Sequence, residues 1–329
     1  LNISVGLTGI GSYVPDKAVT NEDLSRIVDT SNEWIVERTG IRERRIVDYY
    51  TSTSDIATKA ALRALEDGNT SPEEIDMIIV ATVTPDMSFP STACIVQKSI
   101  RAVNAAAFDI SVGCSGFVYG LSIGMSFIKA GVCRKVLVIG AETLSKIVDW
   151  QDRSTCILFG DGAGACILER CEEGYGILSQ DLGSDGNGGN LLTLPAGGSK
   201  LPASYETVSN NLHTIKMDGR EVFKFAVRVI EKTANDALEK AQLSLKDIDF
   251  FVPHQANLRI IQSAMKKLDL KQDKVYVNLD KYGNMSSASI PVALDEAYRK
   301  SMIKRGDVVL LVAFGAGLTW GSLVLKWNK

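Results

Sequence analysis

Histidine is scarce in this chain: only His213 and His254 occur among 329 residues. An imidazole-rich metal centre would therefore have almost no ligands to draw on. The six cysteines are Cys94, Cys114, Cys133, Cys156, Cys166 and Cys171. None forms a CxxC pair, and no Cys/His cluster has zinc spacing. Cys94, Cys133 and Cys166 lie among apolar or small residues, where a reduced cysteine behaves as a small hydrophobe. This usage points to a reducing, cytosolic setting.

Charge of one sign is also lacking. The formal net charge is −3, so no global basic field exists for nucleic acid or an anionic membrane. The longest uncharged run, residues 110–128, is close to membrane-spanning length, but eight of its nineteen residues are Ser or Gly. Such low hydropathy suits a helix buried in protein rather than in lipid. The beginning, "LNISVGLTGIGSYVP", has no basic segment and is broken early by Gly and Pro, unlike a secretory leader. Two glycine-rich stretches fail as ligand loops. "FGDGAGA" (159–165) is followed by strand-like "CILE" where a dinucleotide fingerprint needs a helix. "DLGSDGNGG" lacks the terminal Glu of a calcium loop.

What is present is a soluble globular composition, 45% hydrophobic and 23% charged, able to bury a sizeable core. The chain also repeats itself. "ALEDGNTSPEEID" (64–76) matches "ALEKAQLSLKDID" (237–249), each a helix end followed by a strand, "MIIVATV" or "FFVPHQ". "AAFDISVGCSG" pairs with "VYVNLDKYGNMS", which sets Cys114 opposite Asn284, and "RKVLVIGAE" pairs with "GDVVLLVAFGAG". Three matches in one order predict a tandem duplication with its seam near 172. Residues 1–172 and 173–329 each read helix, strand, strand–turn–helix, strand. Such alternation implies mostly parallel sheets covered by helices, stacked as an α/β/α/β/α body. Residues 179–209, rich in Gly, Asn and Ser, read as an irregular insertion.

Gly116, Gly120 and Gly124 share one helical face, so the helix after Cys114 is expected to cross its counterpart, which begins "MSSASIPVAL", at close range. Each helix is preceded by a turn, one carrying Cys114 and the other Asn284. A cysteine at a helix N-terminus has its thiolate favoured by free N–H groups and the helix dipole. Taken alone, each candidate also has a plainer reading: Cys114 as a buried inert thiol, His254 as a structural residue at a strand end, Asn284 as a turn residue. His213, in polar "NNLHTIKMDG", reads as a loop residue.

"VGCSGF", "PHQAN", "YGNMSSAS" and "FGAGLTWGS", in this order and spacing, resemble the β-ketoacyl-acyl carrier protein synthase III family. "SNEWIVERTGIRERRI" (31–46) and "FGDGAGA" fit as well, so the resemblance spans essentially the whole chain. It implies a thiolase-like fold, a homodimer, and the first condensation of fatty acid synthesis, with no metal or redox cofactor. Cys114 would take an acyl group from acyl-CoA. His254 and Asn284 would stabilise the enolate formed when a malonyl-acyl carrier protein loses CO₂. The backbone N–H groups of Cys114 and Ala316 would hold the oxyanion; many relatives carry Gly where this chain has Ala316. Related condensing enzymes resemble Cys-His-His or Cys-His-Cys sets, which this chain, with one well-placed histidine and no cysteine in its second half, does not offer.

The resemblance further implies that Trp34 stacks the adenine of CoA, with Arg153 on its other side and Arg38 near the phosphates. Thr30, Gly219, Phe223 and Asn257 would line the pantetheine tunnel and its mouth. An acidic carrier protein would dock on Gln255, Ala256, Asn257, Leu258, Arg259, Lys266 and Lys267, with Lys224 beside them. Phe89 would reach into the partner subunit's acyl pocket. Alternatives left open by the sequence are a related condensing or acyl-transferring enzyme of a specialised pathway and a non-catalytic carrier-binding partner.

Overall fold

The computed structural model describes residues 3–329. In the first half the chain runs through β1 (Val5–Tyr13), α1 (Asn32–Thr39), α2 (Thr53–Asp67), β2 (Met77–Ala81), α3 (Thr92–Ile100), β3 (Ala106–Ile110), α4 (Gly116–Lys129), β4 (Lys135–Thr143) and β5 (Asp161–Arg170). The second half follows with β6 (Gly176–Ser184), α5 (Gly219–Lys240), β7 (Phe250–Pro253), α6 (Leu258–Lys267), α7 (Ser289–Arg299), β8 (Val308–Gly315) and β9 (Thr319–Lys326).

Local chemistry sets these boundaries. Ser52 caps α2 in a reciprocal box with Asp55, Asp218 accepts from the N–H groups of Arg220 and Glu221 to start α5, and Asn257 caps α6. Each side chain satisfies donors that a helix start leaves free. The strand "MIIVA" is buried at every position, as expected of a strand covered on both faces.

The two sheets repeat one pattern. The first runs β1-β5-β4-β2-β3, and the second β6-β9-β8-β7 in corresponding positions. Where β3 completes the first sheet, a single parallel bridge from Phe251 to Val275 stands in the second. Both sheets are mixed, which corrects the expectation of mostly parallel ones. β2 pairs in parallel with β3 and β4, and β7 with β8. β5 runs antiparallel to β1 and β4, and β9 antiparallel to β6 and β8. The reason is connection length: β8 and β9 are joined by only a few residues, which permits a hairpin but no crossover.

α2 and α3 cover the outside of the first sheet, and α5 with α6 the outside of the second. α4 and α7 lie between the sheets, where Phe117, Leu121, Ile290 and Leu294 join Val138, Leu168, Leu311 and Leu323 in one buried cluster. The glycine face of α4 serves a different neighbour from the one expected. A Cβ at Gly120 would meet Val138, and one at Gly124 would meet Leu168 and Val136. The small face therefore beds α4 onto the aliphatic side chains of its own sheet, and α4 and α7 meet through the turns that precede them.

Residues 179–184 belong to β6, so the irregular insertion is shorter than expected; it also holds a short helix, Tyr205–Ser209. Cys94 is exposed, contrary to the apolar setting read for it, while Cys133 and Cys166 are buried. Position 94 sits on the solvent side of α3, whose buried face is Ala93, Val96 and Ile100. His213 lies in the loop, its Nε2 2.9 Å from Thr207 Oγ1. No helix among the described residues is long and apolar enough to cross a membrane.

Candidate active site

The two turns that meet at the centre carry Cys114 and Asn284. Gly113, at φ +53°, opens the first turn, and Cys114 follows in a 3-10 turn ahead of α4. Gly315, at the end of β8, packs against it so closely that a Cβ there would fall 2.6 Å from the Cys114 nitrogen. Only glycine permits this approach. Asn284 is fixed by its backbone: its N–H donates to Leu158 O at 2.8 Å and its carbonyl accepts from Gly160 N at 3.0 Å. Its side-chain Oδ1 accepts from Ser286 N at 2.8 Å, which leaves the amide NH₂ to donate elsewhere.

His254 directly follows β7, and its N–H donates to Val312 O at 2.8 Å. The imidazole packs edge-on to Phe314, with ring centroids 5.3 Å apart. Neither ring nitrogen has a partner in the protein. Burial pushes its pKa down to about 3, so the ring is neutral at physiological pH, with one N–H free to donate.

Cys114, His254 and Asn284 all line one cavity of about 600 Å³. Its walls include Ile157, Phe159, Leu192, Met217 and Phe314, and its cations are Arg38, Arg220, Lys224 and Arg259. Two guanidinium groups lie near the Trp34 ring, Arg38 Cζ 4.8 Å and Arg153 Cζ 5.2 Å from its centroid. Such an arrangement can take a planar aromatic group and an anionic chain at its entrance and pass an apolar chain to a thiol.

The thiol departs from expectation. Burial pushes the Cys114 pKa up to about 12, and the nearby Glu142 carboxylate acts in the same direction. A helix terminus contributes about 0.3–1 kcal/mol, whereas taking an anion out of water costs several kcal/mol. Desolvation wins, and the resting sulfur is a thiol.

Of the other sequence-derived residues, Gly219, Phe223, Asn257, Ala256, Lys224 and Arg259 line the cavity with Trp34 and Arg38. Thr30 does not; its hydroxyl is buried without a partner. Ala316 adjoins the Cys114 turn, its nitrogen 3.0 Å from where a Cβ of Gly113 would lie. It is not among the residues with positive φ, so the methyl group is carried without backbone strain.

The expected docking set divides. Gln255 is completely buried. Its Nε2 donates to Pro253 O and Tyr276 O, and its Oε1 accepts from Asn278 N. It is therefore a strut and not a surface contact. Leu258 is half-buried and packs against Gly40. Arg259, Lys266 and Lys267 are exposed, but Lys267 pairs with Glu231 at 2.6 Å and Lys224 with Glu221 at 2.7 Å. Phe89, 85% exposed, lies in the loop between β2 and α3.

The sequence reading missed Glu142 and Ser286, which support Asn284: the Ser286 N–H donates to Asn284 Oδ1 and its hydroxyl to Glu142. The available signal was a lone acid in the apolar strand "VLVIGAET". No group of three His, Cys, Asp or Glu side chains among the described residues could hold a metal ion.

Family models described as 3-oxoacyl-(acyl carrier protein) synthase III match residues 108–186, and its C-terminal part residues 238–327. The chain is 64% identical to the beta-ketoacyl-(acyl carrier protein) synthase III of Caldanaerobacter subterraneus subsp. tengcongensis, over 99% of each chain. The crystal structure of 3-oxoacyl-(acyl carrier protein) synthase III from Aquifex aeolicus VF5 superposes with a TM-score of 0.91 at 49% identity, covering 98% of this chain and 100% of that one. The priming beta-ketosynthase of the R1128 polyketide pathway gives a TM-score of 0.92 at 35% identity, over 99% and 97%.

Proposed function

The chain belongs to the 3-oxoacyl-(acyl carrier protein) synthase III family, and from that premise we propose how its own residues perform the reaction. The enzyme is a condensing acyltransferase of thiolase-like fold that initiates fatty acid synthesis. It joins a short acyl group from acyl-CoA to malonyl-acyl carrier protein, giving a 3-oxoacyl-acyl carrier protein, CoA and CO₂.

Cys114 attacks the acyl-CoA thioester. The new C–S bond replaces the bond to CoA, and the thiol proton leaves with CoA as its thiol. One thioester is exchanged for another, so little free energy separates the two sides. Malonyl-acyl carrier protein then enters the same cavity. The neutral His254 N–H and the Asn284 amide donate to its thioester oxygen as CO₂ leaves, and the enolate carbon attacks acyl-Cys114. The backbone N–H groups of Cys114 and Ala316 hold the tetrahedral oxyanion; losing one such donor costs roughly 3–4 kcal/mol. A neutral imidazole suits this role, because a cation would hold the malonyl carboxylate in place by charge.

The single observation that carries this reading is the convergence of Cys114, His254 and Asn284 on one cavity from separate parts of the chain. Trp34 in the cavity wall, with Arg38 and Arg153 near its ring, supports adenine stacking there. Arg259 and Lys266 support docking of an acidic carrier protein. The exposed Phe89 and the free edge of β3 support a homodimer in which Phe89 meets the partner's acyl pocket. The repeated strand order supports 1–172 and 173–329 as descendants of one duplicated unit. The donor set requires no metal or redox cofactor for this chemistry, and the cysteine usage suits the cytoplasm.

Incubation with isotopically labelled acetyl-CoA, followed by peptide mass spectrometry, tests the proposal. The label belongs on Cys114; label elsewhere, or none, overturns it. A panel of straight and branched acyl-CoA primers with malonyl-carrier protein, read as kcat/KM, then separates this function from priming of a specialised pathway.

A further inference from the structure

The two turns that bring Cys114 and Ala316 together are built largely on glycine. Gly113, at φ +53°, precedes Cys114. Gly315 precedes Ala316, and Gly317, at φ +136°, follows it. The turns interlock at close range: a Cβ at Gly113 would lie 3.0 Å from Ala316 N, and one at Gly315 2.6 Å from Cys114 N. Glycine permits this approach, but it restrains the neighbouring peptides least. Backbone N–H groups stabilise an oxyanion well only when their direction is fixed before the reaction. A group outside the glycines has to fix it.

The Thr319 side chain is placed to do so. Thr319 opens β9 and is half-buried. Its hydroxyl donates to Ala316 O at 2.9 Å, with Val112 O and the completely buried Ser115 Oγ each 3.2 Å away. It therefore touches the Cys114 turn on one side and the Ala316 turn on the other, one turn from each half of the chain. A hydroxyl has a single proton. Shared between carbonyls of both turns, that proton makes a three-centre bond. Each carbonyl belongs to a peptide next to the one whose N–H would face the oxyanion, Val112 before Gly113 and Ala316 before Gly317. Among the described residues no other side chain hydrogen-bonds to Ala316, Gly317 or Leu318.

We infer that Thr319 is a positioning residue of the acyl-transfer site: its hydroxyl ties the Cys114 turn to the Ala316 turn and so keeps the N–H groups of Cys114 and Ala316 aimed at one oxyanion. The inference rests on the reading of Cys114 as the nucleophile and of those two N–H groups as the oxyanion donors.

Two reactions of the same sulfur test it. Acylation by labelled acetyl-CoA passes through a tetrahedral oxyanion, whereas alkylation by iodoacetamide is a displacement at saturated carbon and forms none. Thr319→Val and Thr319→Ala both remove the hydroxyl. Each should slow single-turnover acylation at saturating acetyl-CoA by about tenfold or more, part of the roughly 10²- to 10³-fold that outright loss of one donor costs. Alkylation of Cys114, and CO₂ release from malonyl-carrier protein, which draws on His254 and Asn284, should stay within about twofold of wild type. Thr319→Ser keeps the hydroxyl and should retain most of the acylation rate. Unchanged acylation in the valine and alanine variants overturns the inference. So does an equal fall in acylation and alkylation, which would mean that the sulfur itself had moved, or a serine variant as slow as the other two. Loss of folding in both the valine and alanine variants also overturns it, because Thr319 would then hold the fold and not the donors. Failure of the wild-type protein to take labelled acetyl on Cys114 would instead remove the nucleophile reading, and is seen separately.

Discussion

Phe159 and Asn284 form an isolated parallel bridge between the two halves of the chain. The flanking residues supply its hydrogen bonds, Asn284 N to Leu158 O and Gly160 N to Asn284 O. The carboxamide is thus placed by main-chain bonds to the half that bears the thiol, and its position does not depend on its own turn alone.

Gly160 is the weak point of that bridge. A Cβ there would come within 2.3 Å of Tyr282 O, so Gly160→Ala must displace the turn leading into Asn284. Acylation of Cys114 by acyl-CoA is expected to survive while decarboxylation of malonyl-carrier protein falls by about 10²-fold, the order of a lost transition-state donor. Single-turnover acylation and CO₂ release, measured separately, check this; equal loss in both would place Asn284 outside the enolate step.

Trp34→Ala removes the aromatic surface beside Arg38 and Arg153. Stacking of a base on an aromatic ring contributes roughly 1–3 kcal/mol, so KM for acyl-CoA should rise by about 5- to 150-fold. The KM for malonyl-carrier protein should change far less. Initial-rate kinetics with each substrate varied in turn distinguish the two.

Arg259 lines the cavity, so reversing its charge perturbs CoA and carrier protein together. Lys266 is exposed on the same helix face, away from the cavity, and forms no ion pair among the described residues. Lys266→Glu is therefore the cleaner probe: it should raise KM for malonyl-carrier protein, most at low ionic strength, and spare transacylation. Gln255→Ala should instead lower stability by about 2–4 kcal/mol, because it leaves buried carbonyls and an N–H unpaired. Denaturant melts of the two variants should separate dock from strut.

His254 carries a pH signature. Its folded pKa, about 3, lies below the ordinary 6.5. Between those values the unfolded chain binds more protons than the folded one, so stability rises with pH. The contribution is fully present above about pH 6.5 and is lost as pH falls toward 3. A neutral substitute, His254→Asn, should flatten this part of the stability profile relative to wild type. The midpoint of urea unfolding measured from pH 7 to pH 4 tests it. An identical slope in both proteins would mean that His254 is not held neutral by burial.

Much of the site could be read along the chain because its residues sit at the ends of elements whose patterns are strong. "VGCSGF" joins a strand to a helix, "PHQAN" a strand to a helix, and "YGNMSSAS" a turn to a helix, and duplication implied that the first and last of these meet. Gln255 was misread because an amide next to a catalytic-looking histidine carries no local mark of burial. The small face of α4 was misread because glycine spacing shows which side approaches closely but not what it approaches. Strand direction was misread because the pairing of β8 with β9 depends on a short connection inside an otherwise alternating pattern.

The sequence by itself determined the layered α/β class and the family, and it pointed to the repeat and to the thiol, imidazole and carboxamide that line one cavity, since all of these reside in residue order and local periodicity. Only the tertiary structure decided the protonation states. Whether Cys114 rests as a thiol and His254 as a neutral ring depends on how completely each is removed from water and on which charge stands beside it. In this protein both are buried where the turn carrying Cys114 packs against the turn carrying Asn284.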